Sequence, residues 1–377
     1  MNLLKISWAN IVHKPLNSIL ILLLLSFGVG IISLMVVLNL QLEQQFRRNI
    51  KDIDLVLGAK GSSLQLMLSA VYHVDAPTGN IKLKDIKRLE KDRIAKPMIK
   101  KIIPMSYGDS YEKFRIVGTT YDYVDHYGAT LRVGQLWDVP ELDSIGHVVR
   151  GQGMTQDPDI PDTLGAVIGS KAAVESGMTI GSTFYSFHGL DNASEAHYNI
   201  VFEVVGILEE SQTVIDQLIL TSLEAIWAIH PPREDAPPKD PEVTAALIQV
   251  NNKLAVLSLS QIPVIKEGNM ILAIPSVEIN RLTNNFGIGA VLLGAIGLII
   301  SIISFISVFI SLFNSLKDRK YELAIIRTLG GKRNTVFMLI LQEGLILSVI
   351  GFILGWILSR IGLLVLSGAL NDEFHYS

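Results

Sequence analysis

Cysteine is absent from all 377 residues. That excludes a disulfide framework, a thiolate metal centre and a cysteine nucleophile. It leaves the compartment open. Charge is scarce too: 18% of residues are Asp, Glu, Lys or Arg, while 49% are hydrophobic. Soluble domains carry about 25% charged residues. With a mean hydropathy of +0.40, the chain is too apolar to be wholly soluble, and intrinsic disorder is excluded for most of it. The net charge of −4 gives the whole chain no attraction to nucleic acid.

Several chemical signatures are also missing. The run Gly58-Ala59-Lys60-Gly61-Ser62-Ser63 places its lysine before the second glycine. It therefore lacks the phosphate-loop spacing and reads as a turn, and no ATP hydrolysis is expected in this chain. Neither an H-E-x-x-H pair nor a G-x-S-x-G elbow is present. His188 and His197 flank an acidic stretch with Asp191 and Glu195. That stretch allows a metal, but a solvated loop is the favoured reading. Glu209 and Glu210 read as a solvated turn. No catalytic, cofactor-binding or metal-ligating residue is expected, and the chain reads as a non-enzyme.

Long apolar runs dominate what remains. Leu16 to Leu40 holds 25 uncharged positions. At 1.5 Å per residue that exceeds the roughly 30 Å hydrocarbon core, and it is too long for a signal peptide. It predicts a transmembrane helix over 16–40. Leu282 to Leu316 is a second run of 35 positions, with a span expected over 286–314. Its Gly287, Gly289, Gly294 and Gly297 fit either close helix packing or the ordinary glycine content of membrane helices. A third span is expected over 335–360. There Gly344, Gly351 and Gly355 share one face. Glu343 fits a helix bundle or, preferably, the headgroup level, and Arg360 can snorkel.

Short basic segments set the orientation. Residues 1–15 carry two lysines and no acid, and residues 317–333 carry six basic and two acidic side chains. Both belong in the cytoplasm by the positive-inside rule. Residues 41–281 then lie outside, with a net charge of −8. Arg47, Arg48 and Lys51 argue weakly the other way and are discounted in a long translocated domain. Leu4, Trp8 and Ile11 recur at helical spacing over 1–15, which predicts an interfacial helix with Trp8 and Lys14 at the membrane surface.

The 41–281 segment has an α+β texture. Helices are expected over 41–52, Leu64–Tyr72, Leu83–Lys91, Lys171–Ser176 and Leu223–His230. Strands are expected over Phe114–Thr120, His147–Arg150, Ala166–Ile168, Thr183–Phe187, Ile200–Leu208, Gln217–Leu220, Ala245–Val250 and Met270–Ile274. Residues 231–241 hold five prolines and read as an exposed loop. Both ends of the segment adjoin membrane helices, so its movement must bend or shift them.

Residues 317–329 suit a helix with Gly330 at its C-cap. Leu323, Ile326 and Leu329 share a face. Such a short basic helix either lies on anionic lipid or enters a groove on a cytoplasmic partner; the residues alone leave both open.

The string Arg319, Glu322, Ala324, Arg327, Gly330 and Arg333, followed by Glu343, Gly351 and Gly355, resembles the signature of the FtsX/MacB family of ABC transporter permeases. Val117-Gly118-Thr119, Leu131-Arg132-Val133-Gly134-Gln135, Val167-Ile168-Gly169-Ser170, Ile180-Gly181-Ser182-Thr183-Phe184 and Phe202–Leu208 look like the MacB-type periplasmic core. The resemblance covers nearly the whole chain. It implies a multi-pass protein of the bacterial plasma (inner) membrane: α-helical spans, three seen and four expected, with a large α+β extracytoplasmic domain between the first and second. It also implies a second permease protomer, identical or different, and a dimer of a separate cytoplasmic P-loop ATPase that binds ATP and Mg. This chain itself needs no cofactor.

The 317–333 loop would be the coupling helix, with Arg319, Glu322, Ala324, Ile326, Arg327, Leu329, Gly330 and Arg333 at the ATPase. Glu343, Gly351 and Gly355 would serve packing within the membrane. ATP-driven closure would then move the outer domain, a mechanotransmission used for efflux of a peptide or small compound or for lipoprotein release. A periplasmic adaptor or envelope substrate would be a further partner. Because the family has a fourth span, residues 361–377 would be an extracytoplasmic end and the sequence a truncated one. The alternative is a membrane-anchored ligand-binding or sensor protein without an ATPase, which has no need of a basic coupling helix. An anchored hydrolase has no motif behind it.

Overall fold

A computed structural model describes residues 3–13, 15–143, 148–150, 162–189, 197–230, 240–318, 320–328 and 333–374. The chain opens with helices α1 (Leu3–His13) and α2 (Pro15–Asn49). Pro15 occupies the first helical turn, where its missing N–H costs nothing. Next come β1 (Leu55–Ala59), α3 (Ser63–Ala70), β2 (Ile81–Lys82), α4 (Leu83–Lys91), β3 (Ile99–Tyr111), β4 (Phe114–Thr119), α5 (Tyr121–Tyr127), β5 (Leu131–Gly134), β6 (Glu141–Leu142) and β7 (Val148–Arg150). The middle of the chain forms β8 (Asp162–Ile168), α6 (Ser170–Ser176), β9 (Thr183–Phe184), β10 (Phe187–His188), β11 (Ile200–Leu208), β12 (Ile219–Ser222) and α7 (Leu223–Ile229). It closes with β13 (Glu242–Val243), β14 (Ala245–Val250), α8 (Ala255–Leu259), α9 (Pro263–Glu267), β15 (Met270–Ala273), α10 (Pro275–Asp318), α11 (Lys320–Thr328) and α12 (Arg333–Phe374). The chain divides into two units: residues 1–44 with 282–377, and residues 45–281.

In the first unit three helices are long and apolar enough to cross a membrane, over Ser18–Asn49, Val291–Asn314 and Phe337–Leu366. Leu20, Phe305 and Leu364 are among many large apolar side chains left exposed on them. Such surfaces suit lipid rather than water. Where these helices meet, small residues stand at the contact. A Cβ on Gly28 would lie 2.5 Å from Ser301 Oγ, and one on Gly297 would lie 2.8 Å from Ile32. Gly289 and Gly294 have nothing within 4 Å. Ser301, Ser304 and Ser307 each donate to the carbonyl one turn back, which satisfies hydroxyls that lipid cannot.

The second unit is built on one sheet. Among the described residues, eleven strands join it, nine in the order β15-β1-β14-β3-β4-β12-β8-β11-β5; β10 adds to β3 and β9 to β11. The β11·β8 and β12·β4 pairs are parallel and the others antiparallel. This mixed α/β arrangement lies in the segment after the first membrane-capable helix, in accord with the fold class expected from the sequence. Two apolar clusters flank the sheet. One gathers Phe114, Phe184, Phe202 and Ile226; the other gathers Leu57, Ile86, Leu89 and Ile248.

Helix α7 starts at Ser222, whose hydroxyl accepts from the Ala225 N–H at 3.0 Å as an N-cap. It settles onto β4 at Gly118. A Cβ there would lie 2.4 Å from Ile226 Cγ1 and 2.7 Å from the Ser222 carbonyl oxygen, so only glycine admits this approach.

Several local expectations change. The 13-residue strand β3 was not expected. Its Lys100, Lys101, Pro104 and Gly108 interrupt the alternation that marks a strand, and its register against β4 shifts between Tyr107 and Ser110. Gly58 and Ala59 lie in β1 rather than in a turn. Ser62, expected in the same turn, caps α3 through its hydroxyl. The strand expected over 183–187 divides into β9 and β10, which pair with different neighbours. Gln217 closes a 3-10 turn over Val214–Gln217, and the strand there begins at Ile219. His147 and most of the expected 231–241 loop lie outside the described residues.

Candidate functional site

Four side chains converge in the second unit although they lie far apart in sequence. Asp109 stands near the C-terminal end of β3. The β10 strand pairs with β3 in a register that sets His188 opposite Asp109. His197 is fixed by its own N–H, which donates to the Ser186 carbonyl at 2.9 Å. His230 ends α7, and its N–H donates to the Trp227 carbonyl at 3.1 Å.

From the Asp109 carboxylate, His188 Nδ1 is 3.2 Å away, His230 Nε2 3.7 Å and His197 Nε2 3.9 Å. One donor atom from each residue lies within 4.8 Å of every other. The three imidazoles crowd together edge-on or tilted, with ring centroids 4.2, 4.6 and 5.0 Å apart and ring planes at 74°, 70° and 44°.

The site is partly dry. The Asp109 side chain is 2% exposed and that of His197 14%, against 50% for His188. Burial pushes the Asp109 carboxyl above the usual carboxylate range, opposed mainly by His230 and His188. Burial, with His230 and His188 beside it, lowers His197 to about 4. His197 is therefore a neutral imidazole with a free lone pair near pH 7.

Neither Asp109 oxygen has a hydrogen-bond partner of good geometry among the described residues, and neither does His197 Nε2. The 3.2 Å approach of His188 is close but not aligned as a hydrogen bond. His230 Nδ1 lies 3.2 Å from the Ile226 carbonyl oxygen. A carbonyl only accepts, so in this contact Nδ1 carries a proton and donates, which turns Nε2 toward Asp109. Asp109, His188 and His230 also line a cleft of about 770 Å3, together with Tyr107, Trp227 and Asp240.

The stretch between His188 and His197, expected as a solvated loop, lies outside the described residues at 190–196, while the two histidines themselves meet Asp109 and His230. Asp191 and Glu195 lie outside the described residues, and the carboxylate that meets the histidines is Asp109, on a strand the sequence pattern concealed. A shared position at one end of a sheet was the missing information, and no short motif carries it.

The residues expected to couple to a partner are only partly described. Arg319, Leu329 and Gly330 lie outside the described residues. Glu322, Ala324, Ile326 and Arg327 lie on helix α11, and Arg333 begins α12. Ala324 is exposed, as are Lys320 and Thr328. Tyr321 is 81% exposed and Ile325 47%. Glu343 is half-buried on α12. On the same helix a Cβ on Gly351 would lie 2.8 Å from Leu25, and one on Gly355 2.8 Å from the Ser26 carbonyl oxygen. Trp8 is 53% exposed, and Lys14 lies outside the described residues. Arg360 stacks on Trp356 at 5.5 Å.

Three membrane-capable helices, a large α/β unit after the first and a short helix between the other two define a polytopic membrane subunit with a sizeable domain outside the bilayer. The family model of the MacB-like periplasmic core domain matches residues 18–256, and that of the FtsX-like permease C-terminal matches residues 294–375. The chain belongs to the FtsX/MacB-type ABC transporter permeases. Among solved structures, the extracellular domain of the noncanonic ABC-type transporter YknZ from Gram-positive bacteria is similar at 13% identity. That match covers 57% of this chain and 92% of that one, with a TM-score of 0.32. No curated protein sequence matches this chain.

Proposed function

We propose that this chain is the permease subunit that turns ATP hydrolysis by a separate cytoplasmic ATPase into movement of its extracytoplasmic domain. The observation that carries the reading is helix α11. It lies within the FtsX-like match, between two membrane-capable helices, and exposes Tyr321 and Ile325 beside a basic flank. An aromatic and aliphatic surface on a short helix fits insertion into a partner's groove. ATP and Mg belong to that partner, and this chain acts without catalysis of its own.

Two permease protomers, identical or different, pair in the bacterial plasma membrane, with the 45–281 unit in the periplasm or exterior. The transported or released species is a peptide, a small compound or a lipoprotein, passed to an adaptor or taken from the envelope. Replacing both Arg319 and Glu322 with alanine should abolish the permease-dependent part of the partner's ATP turnover. Unchanged complex formation together with unchanged turnover in that variant would refute the reading.

A second reading rests on the cleft of about 770 Å3: a membrane-anchored sensor with no ATPase. A mild-detergent pull-down separates the two. A stoichiometric P-loop ATPase supports the permease, and its absence supports the sensor.

A further inference from the structure

We propose that Asp109, His188, His197 and His230 form a binding site for a divalent transition-metal ion, with zinc the ion that the donor set fits. The site lies in the 45–281 unit, and the inference does not depend on ATPase coupling.

Geometry is the first support. Nitrogen and oxygen donors about 2.0–2.2 Å from one zinc ion stand roughly 3.3–3.6 Å apart at tetrahedral angles. The separations of 3.2, 3.7 and 3.9 Å from Asp109 lie close to that edge. The widest donor separation, at most 4.8 Å, exceeds it by about 1.2 Å. The His188 and His230 side chains, 50% and 40% exposed, have room to turn toward a shared centre.

The second support is that the donors are unclaimed. Buried carboxylates are almost always hydrogen-bonded, because an unsatisfied one carries its full desolvation cost. Among the described residues both oxygens of Asp109 lack a partner of good geometry, as does His197 Nε2. A dication at the centre of the four satisfies all three atoms at once.

The outer contact of His230 is the third. Its Nδ1–H points to the Ile226 carbonyl, the orientation that fixes the tautomer and directs Nε2 at a metal.

The rival explanation is an ion-pair cluster of Asp109 with protonated histidines. Three imidazoles with centroids 4.2–5.0 Å apart oppose more than one positive charge among them. One imidazolium at His188 or His230 would still leave His197 Nε2 without a partner among the described residues. Calcium and magnesium do not fit either, since they require oxygen ligands and only one carboxylate is offered. Three imidazoles and a carboxylate fill four zinc positions, so the assignment is to binding and not to catalysis. An ion there would tie the β3–β10 pair, residue 197 and the end of α7 into one rigid point beside the cleft.

The test uses the full chain in mild detergent, with any affinity tag removed and metal stripped by chelator. Zinc chloride is titrated in competition with a chromogenic chelator, and bound metal is quantified. One zinc per chain is expected. Asp109→Asn and His197→Asn should each weaken binding at least tenfold, whereas His126→Gln, whose ring contacts Gln249, should leave it unchanged. Cobalt(II) in the wild-type chain should give the intense visible bands of a tetrahedral site, and zinc should displace them. Less than stoichiometric zinc, a weak octahedral cobalt spectrum, or equal affinity in the Asp109 and His197 variants would overturn the proposal. Should a ligand variant not fold, zinc stoichiometry and the cobalt spectrum of the wild type decide alone.

Discussion

Gly355→Ala tests how the membrane helices hold together. A Cβ at Gly355 would lie 2.8 Å from the Ser26 carbonyl oxygen, 2.8 Å from Val29 Cβ and 3.0 Å from Val29 Cγ1. Carbon atoms ordinarily settle at about 3.5–4.0 Å, so three contacts are each too short by roughly half an ångström or more. The Ser26 oxygen is backbone and cannot rotate away. Helices α2 and α12 must therefore separate locally, and overpacking of this kind costs about 1–3 kcal/mol. Alanine also brings a helix-propensity gain of about 1 kcal/mol over glycine, which would blur a single measurement. Gly294→Ala supplies the correction, because nothing lies within 4 Å of its added Cβ. Both variants gain propensity but only one gains a clash, so their difference isolates the packing cost at about 1–3 kcal/mol. Denaturation in micelles of rising dodecyl sulfate fraction, read by tryptophan fluorescence, measures it, and Trp356 beside the site is a built-in reporter. Gly355→Ala matching Gly294→Ala within about 0.5 kcal/mol would refute close packing at this point.

Two further predictions concern the 45–281 unit. His73 is buried between Tyr107 and Tyr123, with Nε2 3.1 Å from the Tyr123 hydroxyl, and burial followed by Arg115 lowers it to about 3. It stays neutral in the fold while the unfolded chain protonates near 6.5. Stability is therefore full above that pH and falls by up to about 1.4 kcal/mol per pH unit between roughly 6.5 and 3. His73→Gln should flatten that part of the acid-unfolding profile; an unchanged slope would exclude His73 as its source. Asp216 is fully buried and accepts from the Ser211 N–H at 3.0 Å, the Gln212 N–H at 2.7 Å and the Ser211 hydroxyl at 2.9 Å. Asp216→Ala leaves those donors without their acceptor and should cost about 3–5 kcal/mol in chemical denaturation, while Asp216→Asn, which keeps one acceptor oxygen, should cost less.

The membrane half was legible because a long uncharged run has few physical outcomes. Twenty or more apolar residues in a row cannot stay in water, and a helix is the only single segment that satisfies its own backbone in lipid. Strand β11 was legible for a similar reason: Ile200, Phe202 and Val204 alternate with half-exposed neighbours. Strand β3 was not. Pro104 pairs with Ala246 in the ladder and Gly108 sits in the register shift beside β4. Both residues read as loop punctuation in sequence and as accommodations within a sheet in space.

Losing β3 also meant losing the site. A motif is readable when its members lie within one or two turns of the chain, because local geometry then fixes their spacing. Asp109, His188, His197 and His230 have no such spacing. Their meeting depends on the register of β10 against β3, on the hydrogen bond from His197 N–H to Ser186 and on the seating of α7 at Gly118. Each is a long-range outcome of how the sheet closes. The same distance in sequence makes an accidental cluster harder to explain. Three crowded imidazoles around a buried carboxylate leave acceptors unmet among the described residues unless something between them carries positive charge. A fold that holds four separate segments in that arrangement gains from a compensating attraction, and a single dication between the four donors supplies it.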